Sequence, residues 1–512
     1  MGQRFSRQAT ALAIALVAVP ATIHAADDIE TLRRELERMR RQVQQLEDAM
    51  KRQESTIRAL EAQRAGAPAP AATPSAPALD AAVEAARAAA QATPAQAAAP
   101  TVPAPATPLP GLYARPLGSR ATLRLIDIST DILVAAGSST ANNDNLALLQ
   151  GGAHDPKRRG FTLQQAEFSF SGAVDPYFTG EAHVIMTDSS VELEEAFMTT
   201  QALPYGLQLE VGHFLTEFGR INPTHPHAWD WVDQPVIVTR LMGGDGLRNP
   251  GFRLGWLTPL PWFSVVDVGM QNASGETAPS FLGEAAGGGH SHGHSHGHGG
   301  EEEGEEGIGG RPSVYTDVRN LGDLLYLLRW SNGFSLSDDI SGVLGGSALY
   351  GPNASGPDGR TWLFGGDLVL KWRPANNFRG WPFVTWQSEF MQRNYKADAV
   401  HDEAGMLDLP AAMLRDWGFY TQLLYGFRYG WAGGVRYEYA SGSGESVGGR
   451  AADPMRSTRH RIAPLLSWRP TEYSRIRLQY NLDRPEFLDN QWQSSVWLAF
   501  EVLYGEHPAH KY

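Results

Sequence analysis

The chain has 512 residues, no cysteine, 19% charged residues and a formal net charge of −13 at pH 7. An acidic chain lacks the basic surface that nucleic-acid binding needs, and a cysteine-free composition suits an oxidising compartment outside the cytoplasm. No run of about 20 apolar residues follows the start of the chain, which excludes a membrane-spanning helix from the mature protein as an expectation.

Residues 1–25 read as a secretory signal peptide. Arg4 and Arg7 supply the positive start, residues 9–19 the apolar run, and Ile23-His24-Ala25 the cleavage site. Residues 26–63 carry a heptad seam: Ile29, Leu32, Leu36, Met39, Val43, Leu46, Met50, Gln53, Ile57 and Leu60. Steps of three and four with one polar member predict an α-helical coiled coil, periplasmic in this context, which needs partner chains to cover its stripe. A homotrimer is the expected assembly, by analogy with the symmetry of barrels of this kind, and the cell wall is a further candidate partner of the coil. The mixed seam leaves the number of strands in the coil open. Residues 64–111 are Ala/Pro-rich with no pattern that buries a core, and read as an extended, disordered linker.

Residues 112–512 change character. Short segments alternate apolar and polar side chains, as a strand does with lipid on one face and water on the other. Sixteen segments fit: residues 123–134, 161–172, 178–187, 191–201, 207–214, 252–257, 263–272, 321–332, 340–350, 361–373, 383–395, 417–427, 432–440, 459–469, 475–483 and 491–504. Connections after even-numbered segments are short, and those after odd-numbered ones are often long. Short periplasmic turns opposite long outer loops are the pattern of an outer-membrane barrel. The predicted fold is therefore an all-β transmembrane barrel of about sixteen antiparallel strands, set in outer-membrane lipid of a Gram-negative bacterium. The longest outer connections include residues 216–251, where Pro223, Pro226 and Pro235 oppose helix or strand. A loop so long, and so rich in His, Trp and Asp, is expected to fold into the pore and narrow it.

Several motifs carry a family resemblance. They are Gly160-Phe161-Thr162-Leu163, Asp175-Pro176-Tyr177-Phe178-Thr179-Gly180, Glu194-Glu195-Ala196-Phe197, Leu203-Pro204-Tyr205-Gly206-Leu207, Gly212-His213-Phe214 and the run from His225 to Pro235, His-Pro-His-Ala-Trp-Asp-Trp-Val-Asp-Gln-Pro. The chain resembles a little-characterised family of proteobacterial outer-membrane porin-like proteins, some described as zinc-regulated, and more distantly the phosphate-selective porins. That resemblance implies a channel. The reading from the residues is passive uptake of small hydrophilic solutes, with zinc or another divalent metal as the candidate ion. The alternatives are an anion- or phosphate-selective porin, or a barrel that anchors the periplasmic coil to the cell wall.

Candidate sites are of two kinds. His290, His292, His294, His296 and His298, among Gly and Ser, precede Glu301, Glu302 and Glu303. Imidazole and carboxylate are ligands for zinc, copper and nickel, so this stretch is a candidate for capturing metal at the outer mouth. His213, His225, His227, Asp230 and Asp233 form a second candidate set, although their Trp and Pro neighbours favour a packed loop. Asp367, Lys371, Arg373, Arg436, Glu438, Arg475 and Arg477 fall on the polar faces of their strands and are expected to line the pore; Glu167 and Glu389 share that face. No nucleophile–base constellation, phosphate-binding glycine loop or CxxC pair occurs. An enzyme is not expected, and no cofactor is required beyond a Zn²⁺ ion as the bound or transported species.

Overall fold

The computed structural model describes residues 126–283, 306–314, 318–402, 407–444, 446–447 and 453–505, with a short strand pair at Ala114–Pro116 and Thr122–Arg124. The expected signal peptide, coil and linker lie outside the described residues, as does the stretch holding His290 to His298 and Glu301 to Glu303.

Sixteen antiparallel strands close into one barrel. They are β1 (Asp127–Ser139), β2 (Gly160–Ala173), β3 (Phe178–Met186), β4 (Val191–Thr200), β5 (Leu207–Leu215), β6 (Arg248–Leu257), β7 (Ser264–Asn272) and β8 (Leu324–Ser337). The second half comprises β9 (Ile340–Pro352), β10 (Arg360–Trp372), β11 (Phe383–Ala397), β12 (Ala412–Arg428), β13 (Trp431–Ser443), β14 (Arg459–Thr471), β15 (Ser474–Pro485) and β16 (Gln493–Gly505). Every strand pairs with its neighbours in sequence, and β16 closes on β1 from Ser495↔Ser139 to Gly505↔Ser129. Each predicted segment overlaps one of these strands.

The strand ends differ from expectation where side chains lose their alternation. β1 runs to Ser139, five residues past the predicted limit, through Ala135-Ala136-Gly137-Ser138-Ser139. The ladder there is held by backbone hydrogen bonds to β16 and β2, which need no apolar face. Small residues are required: a Cβ on Gly137 would lie 2.1 Å from the Trp497 ring and 2.2 Å from the Val496 carbonyl oxygen. β8 instead starts late, because residues Leu321–Asp323 form a 3₁₀ turn capped by the Asn320 side chain, which accepts from Gly322 N–H.

The barrel is turned inside out relative to a soluble protein. On β15, Arg475, Arg477, Gln479, Asn481 and Asp483 are buried, while Leu478 and Tyr480 are exposed. On β16, Val496, Leu498, Phe500 and Val502 are exposed and Trp497 is buried. Exposed aromatic rings gather at the short-turn end: Tyr177, Tyr205, Trp262, Tyr429, Tyr473 and Tyr504. An apolar outer band rimmed by aromatic rings around a charged interior is the solution that a lipid bilayer imposes on strands. The protein is therefore a sixteen-stranded β-barrel of the outer membrane. Among the described residues no helix is long and apolar enough to cross a membrane.

The largest apolar core lies inside the barrel. Phe218, Ile221, Trp229 and the short helix α2 (Val236–Met242), all from the connection between β5 and β6, pack with Phe281, Leu327, Leu363 and Met391. A second helix of equal length, α1 (Asn143–Leu149), follows β1; Asn142 caps it by accepting from Asn145 N–H at 2.8 Å.

Candidate functional site: the lumen and its inward loop

Residues 216–247 leave the top of β5 and touch one wall of the barrel after another. Thr216 Oγ1 donates to Gln271 on β7 at 2.7 Å, Gly219 N–H to Ser347 Oγ on β9 at 3.2 Å, and Arg220 N–H to Glu389 on β11 at 3.2 Å. His225 meets carboxylates of β2 and β4. Further on, Arg475 and Arg477 of β15 donate to the carbonyls of His227, Trp229 and Trp231, and Val236 N–H donates to Glu438 of β13 at 2.6 Å. Strands on opposite sides of the barrel are reached, so the loop crosses the lumen, as its composition predicts. Its apolar members Phe218, Trp231, Val232 and Ile237 are almost fully buried, each worth about 1.5–3 kcal/mol of burial.

Asp233 is the polar anchor of the loop. Its Oδ1 accepts from Gln479 Nε2 at 2.8 Å and pairs closely with Arg436. Its Oδ2 accepts from Arg461 Nη1 at 3.0 Å and Asn481 Nδ2 at 2.7 Å. Burial works against a charge here, but Arg461 and Arg436 outweigh it and hold the carboxyl down at about 2. The loop is thus tied to β13, β14 and β15 by one ionised side chain. Around it the guanidinium of Arg436 bridges to Glu438 at 2.7 Å and lies 5.5 Å from the Trp231 ring centre.

On the facing wall, histidines and carboxylates meet. His225 Nε2 lies 2.7 Å from Glu195 Oε2, and its Nδ1 lies 2.7 Å from Glu194 Oε2 and 3.5 Å from Glu167 Oε1. His183 Nδ1 on β3 is 3.2 Å from Glu167 Oε1, and His227 Nδ1 is 3.1 Å from Glu167 Oε2 and 3.6 Å from Asp131 Oδ2. Burial lowers the basicity of His225, but Glu167 and Glu194 raise it well above the ordinary imidazole value. Glu194 and Glu195 both face inward although they are consecutive. The reason is a register shift: His183 pairs with Glu195 and Val184 with Leu193, leaving Glu194 as the extra residue of a bulge.

Below the loop, toward the short turns, lies a cavity of about 550 Å³. Five basic side chains line it: Arg220, Lys371, Arg373, Arg379 and Arg469. Asp230 is the acidic one. A second cavity shares Arg220, Val369 and Lys371 with it and opens toward Trp262 and Phe334.

The expected pore residues sort into two groups. Lys371 and Arg373 border the cavity. The others are bound to neighbours: Asp367 to Arg329 at 2.9 Å, Arg436 to Asp233 and Glu438, and Arg475 and Arg477 to Glu501 and the loop carbonyls. The second metal candidate set is not assembled as predicted. His225 and His227 stack at 5.6 Å between ring centres. Asp233, however, is engaged by two guanidinium groups, Asp230 lines the basic cavity, and His213 sits opposite Ala196 on β5 without joining them. In their place the structure brings Glu167, His183, Glu194 and Glu195. Glu167 is legible as a luminal residue from alternation. His183 is not distinguished by its neighbours, and the bulge that turns Glu194 inward leaves no sign beyond the Glu-Glu pair.

No family model matches the chain. A protein of Aquifex aeolicus (strain VF5), described as uncharacterised, is 26% identical over 368 residues, 70% of this chain and 71% of that one. Among solved structures, the outer-membrane channel DcaP of Acinetobacter baumannii covers 74% of this chain and 97% of its own at 10% identity, TM-score 0.44. The anion-selective porin from Comamonas acidovorans covers 74% and 99% at 6% identity, TM-score 0.43. OmpF of Salmonella typhi in complex with daunomycin covers 74% and 94% at 10% identity, TM-score 0.43.

Proposed function

We propose that the protein is a porin-like channel for passive passage of small hydrophilic solutes, with a preference for anions. The observation that carries this reading is the cavity beneath the inward loop, in which five basic side chains face one carboxylate. A single-sign field in a water-filled constriction with low-dielectric walls raises the local concentration of the opposite ion. The inward loop supplies the narrowing, and its fixed charge keeps selectivity close to the narrowest part. Planar-bilayer recording in a salt gradient tests it: the reversal potential should show anion preference, and Arg373→Glu with Arg469→Glu should reduce the anion-to-cation permeability ratio roughly two- to tenfold, since an exposed charge at 4 Å is worth about 1 kcal/mol. An electrically silent barrel, or a cation-selective one, overturns the proposal.

Two finer points belong to the same proposal. Metal capture by His290, His292, His294, His296 and His298 with Glu301, Glu302 and Glu303 rests on their ligand chemistry and on the position of the stretch between β7 and β8, a connection on the long-loop side. A homotrimer rests on the heptad seam of residues 26–63, which calls for partner chains, and on the three-fold symmetry that barrels of this kind often adopt.

A further inference from the structure

We infer that Glu167, His183 and His225, completed by Glu194, form a binding site for one divalent transition-metal ion, with zinc the best fit, and that this ion ties the constriction loop to the wall of the barrel. The inference is independent of which solute the channel passes.

The geometry comes first. The nearest ligand atoms of Glu167, His183 and His225 all lie within 4.8 Å of one another. In a tetrahedral zinc site with bonds of 2.0–2.1 Å, ligand atoms stand roughly 3.3 Å apart. Here Glu167 Oε1 is 3.2 Å from His183 Nδ1 and 3.5 Å from His225 Nδ1, and Glu194 Oε2 is 2.7 Å from His225 Nδ1. Small side-chain shifts bring four donors, two nitrogens and two oxygens, to one centre. That set suits a borderline cation such as zinc better than calcium or magnesium, which take oxygen ligands.

The second observation is that hydrogen bonding within the group is incomplete as it stands. His225 Nδ1 and Glu194 Oε2 are buried and close, yet neither makes an aligned hydrogen bond among the described residues. Glu194 is 3% exposed, and its Oε2 points at the imidazole nitrogen. Asp131, 4% exposed and 3.6 Å from His227, likewise has both carboxylate oxygens without a hydrogen-bond partner. Four buried carboxylates, Asp131, Glu167, Glu194 and Glu195, thus face three imidazoles, a balance that favours a further cation.

The third observation is orientation. Metal-binding histidines usually donate their other ring nitrogen to a carboxylate, which fixes the ring and strengthens the ligand. His225 Nε2 lies 2.7 Å from Glu195 Oε2, leaving Nδ1 turned toward Glu167 and Glu194. His183 is held less tightly. Its Nδ1 is also 3.0 Å from Ser169 Oγ, a contact that the metal would replace. The alternative state of the same residues is a doubly paired imidazolium at His225, which binds no metal.

The test uses the full-length protein with His290, His292, His294, His296 and His298 all replaced by Ser, so that the histidine-rich stretch does not mask the cluster. Zinc alone is the probe. Calorimetry should give one equivalent per chain, and bound zinc should raise the unfolding temperature. His183→Ala and Glu194→Gln should each weaken binding at least tenfold, whereas His213→Ala should leave it unchanged. Anomalous scattering at the zinc edge should place the ion between β2, β3, β4 and the loop. No zinc bound by this five-Ser protein, or zinc bound equally well after His183→Ala in correctly folded barrel, overturns the inference. Channel conductance, measured separately without added metal, reports on the solute pathway and is unaffected by that outcome.

Discussion

Asp233→Asn tests whether the inward loop is held by charge. The carboxylate takes four side-chain donors on its two oxygens, from Arg436, Gln479, Arg461 and Asn481. Asparagine keeps one acceptor oxygen and turns an amide donor toward two of those four donors. Two of the hydrogen bonds are then lost, and two buried guanidinium groups lose their shared counter-charge. Removing one partner of a buried ion pair costs about 3–5 kcal/mol, which shifts the balance between docked and undocked loop by roughly 150- to 5,000-fold at 1.36 kcal/mol per factor of ten. The barrel ladder does not involve this side chain, so strand content by circular dichroism and insertion into membranes should be normal. Single-channel recording should show a larger and noisier open level as the loop leaves the lumen. A double-mutant cycle with Arg461→Met should show strong coupling, because the second change removes a charge that the first left stranded. Wild-type conductance and noise in Asp233→Asn, with an unaltered unfolding temperature, would refute the anchoring role.

Other perturbations follow from the same contacts. Gly219→Ala should undock the start of the loop, since Gly219 has φ +66° and an added Cβ would lie 1.6 Å from Glu389 Oε1; backbone strain alone is about 1–2 kcal/mol, read as a lower unfolding temperature and greater current noise. The Asp233 carboxyl is held at about 2 against an ordinary 3.8. A depressed carboxyl contributes its stability above the ordinary value and loses it as pH falls toward 2. Open-level noise should therefore be flat from pH 8 to 4 and rise only in stronger acid; a rise near pH 6 would assign the anchor to another group. Lysine at Leu36 and Val43 should abolish self-association of a soluble peptide of residues 26–63 in sedimentation, while the native peptide associates.

The strands were legible because a membrane barrel enforces the simplest pattern a sequence can carry. Leu478 and Tyr480 face out and Arg477, Gln479 and Asn481 face in, so polarity alternates at every residue. Where the pattern failed, the structure uses other forces: Ala135 to Ser139 hold β1 by backbone pairing beside Trp497. The path of the loop was also legible, since a long segment rich in Trp and Pro cannot add a strand and must bury its rings somewhere. The assembly of the histidine cluster was not. Glu167, His183, Glu194 and His225 come from three strands and the loop, and Glu194 faces inward only because of the bulge opposite His183 and Val184. Alternation assigns Glu194 and Glu195 to opposite faces, so no periodicity argument puts both in the lumen.

The lumen's arginines divide into two kinds, and this separates architecture from selectivity. From sequence, Arg436 on β13 and Arg475 and Arg477 on β15 are expected to line the pore, in the company of luminal carboxylates. In the structure Arg436 is paired with Asp233 and Glu438, while Arg475 and Arg477 share Glu501 and donate to the carbonyls of His227, Trp229 and Trp231. Their hydrogen bonds satisfy backbone oxygens of a loop that has no strand partners of its own, a need that any irregular segment inside a barrel must meet. Arg373, Arg379 and Arg469 instead border the open cavity. Replacement by Gln should therefore give two distinct results. At Arg475 or Arg477 it should strand loop carbonyls and Glu501, lower the unfolding temperature and enlarge the open level, with ion preference changed little. At Arg373 or Arg469 it should move the reversal potential toward cations and leave the unfolding temperature within about the ±0.5 kcal/mol equivalent of an ordinary surface change. If both groups shift the reversal potential alike and neither alters stability, the arginines of β15 line the ion path and the loop is held in the lumen without them.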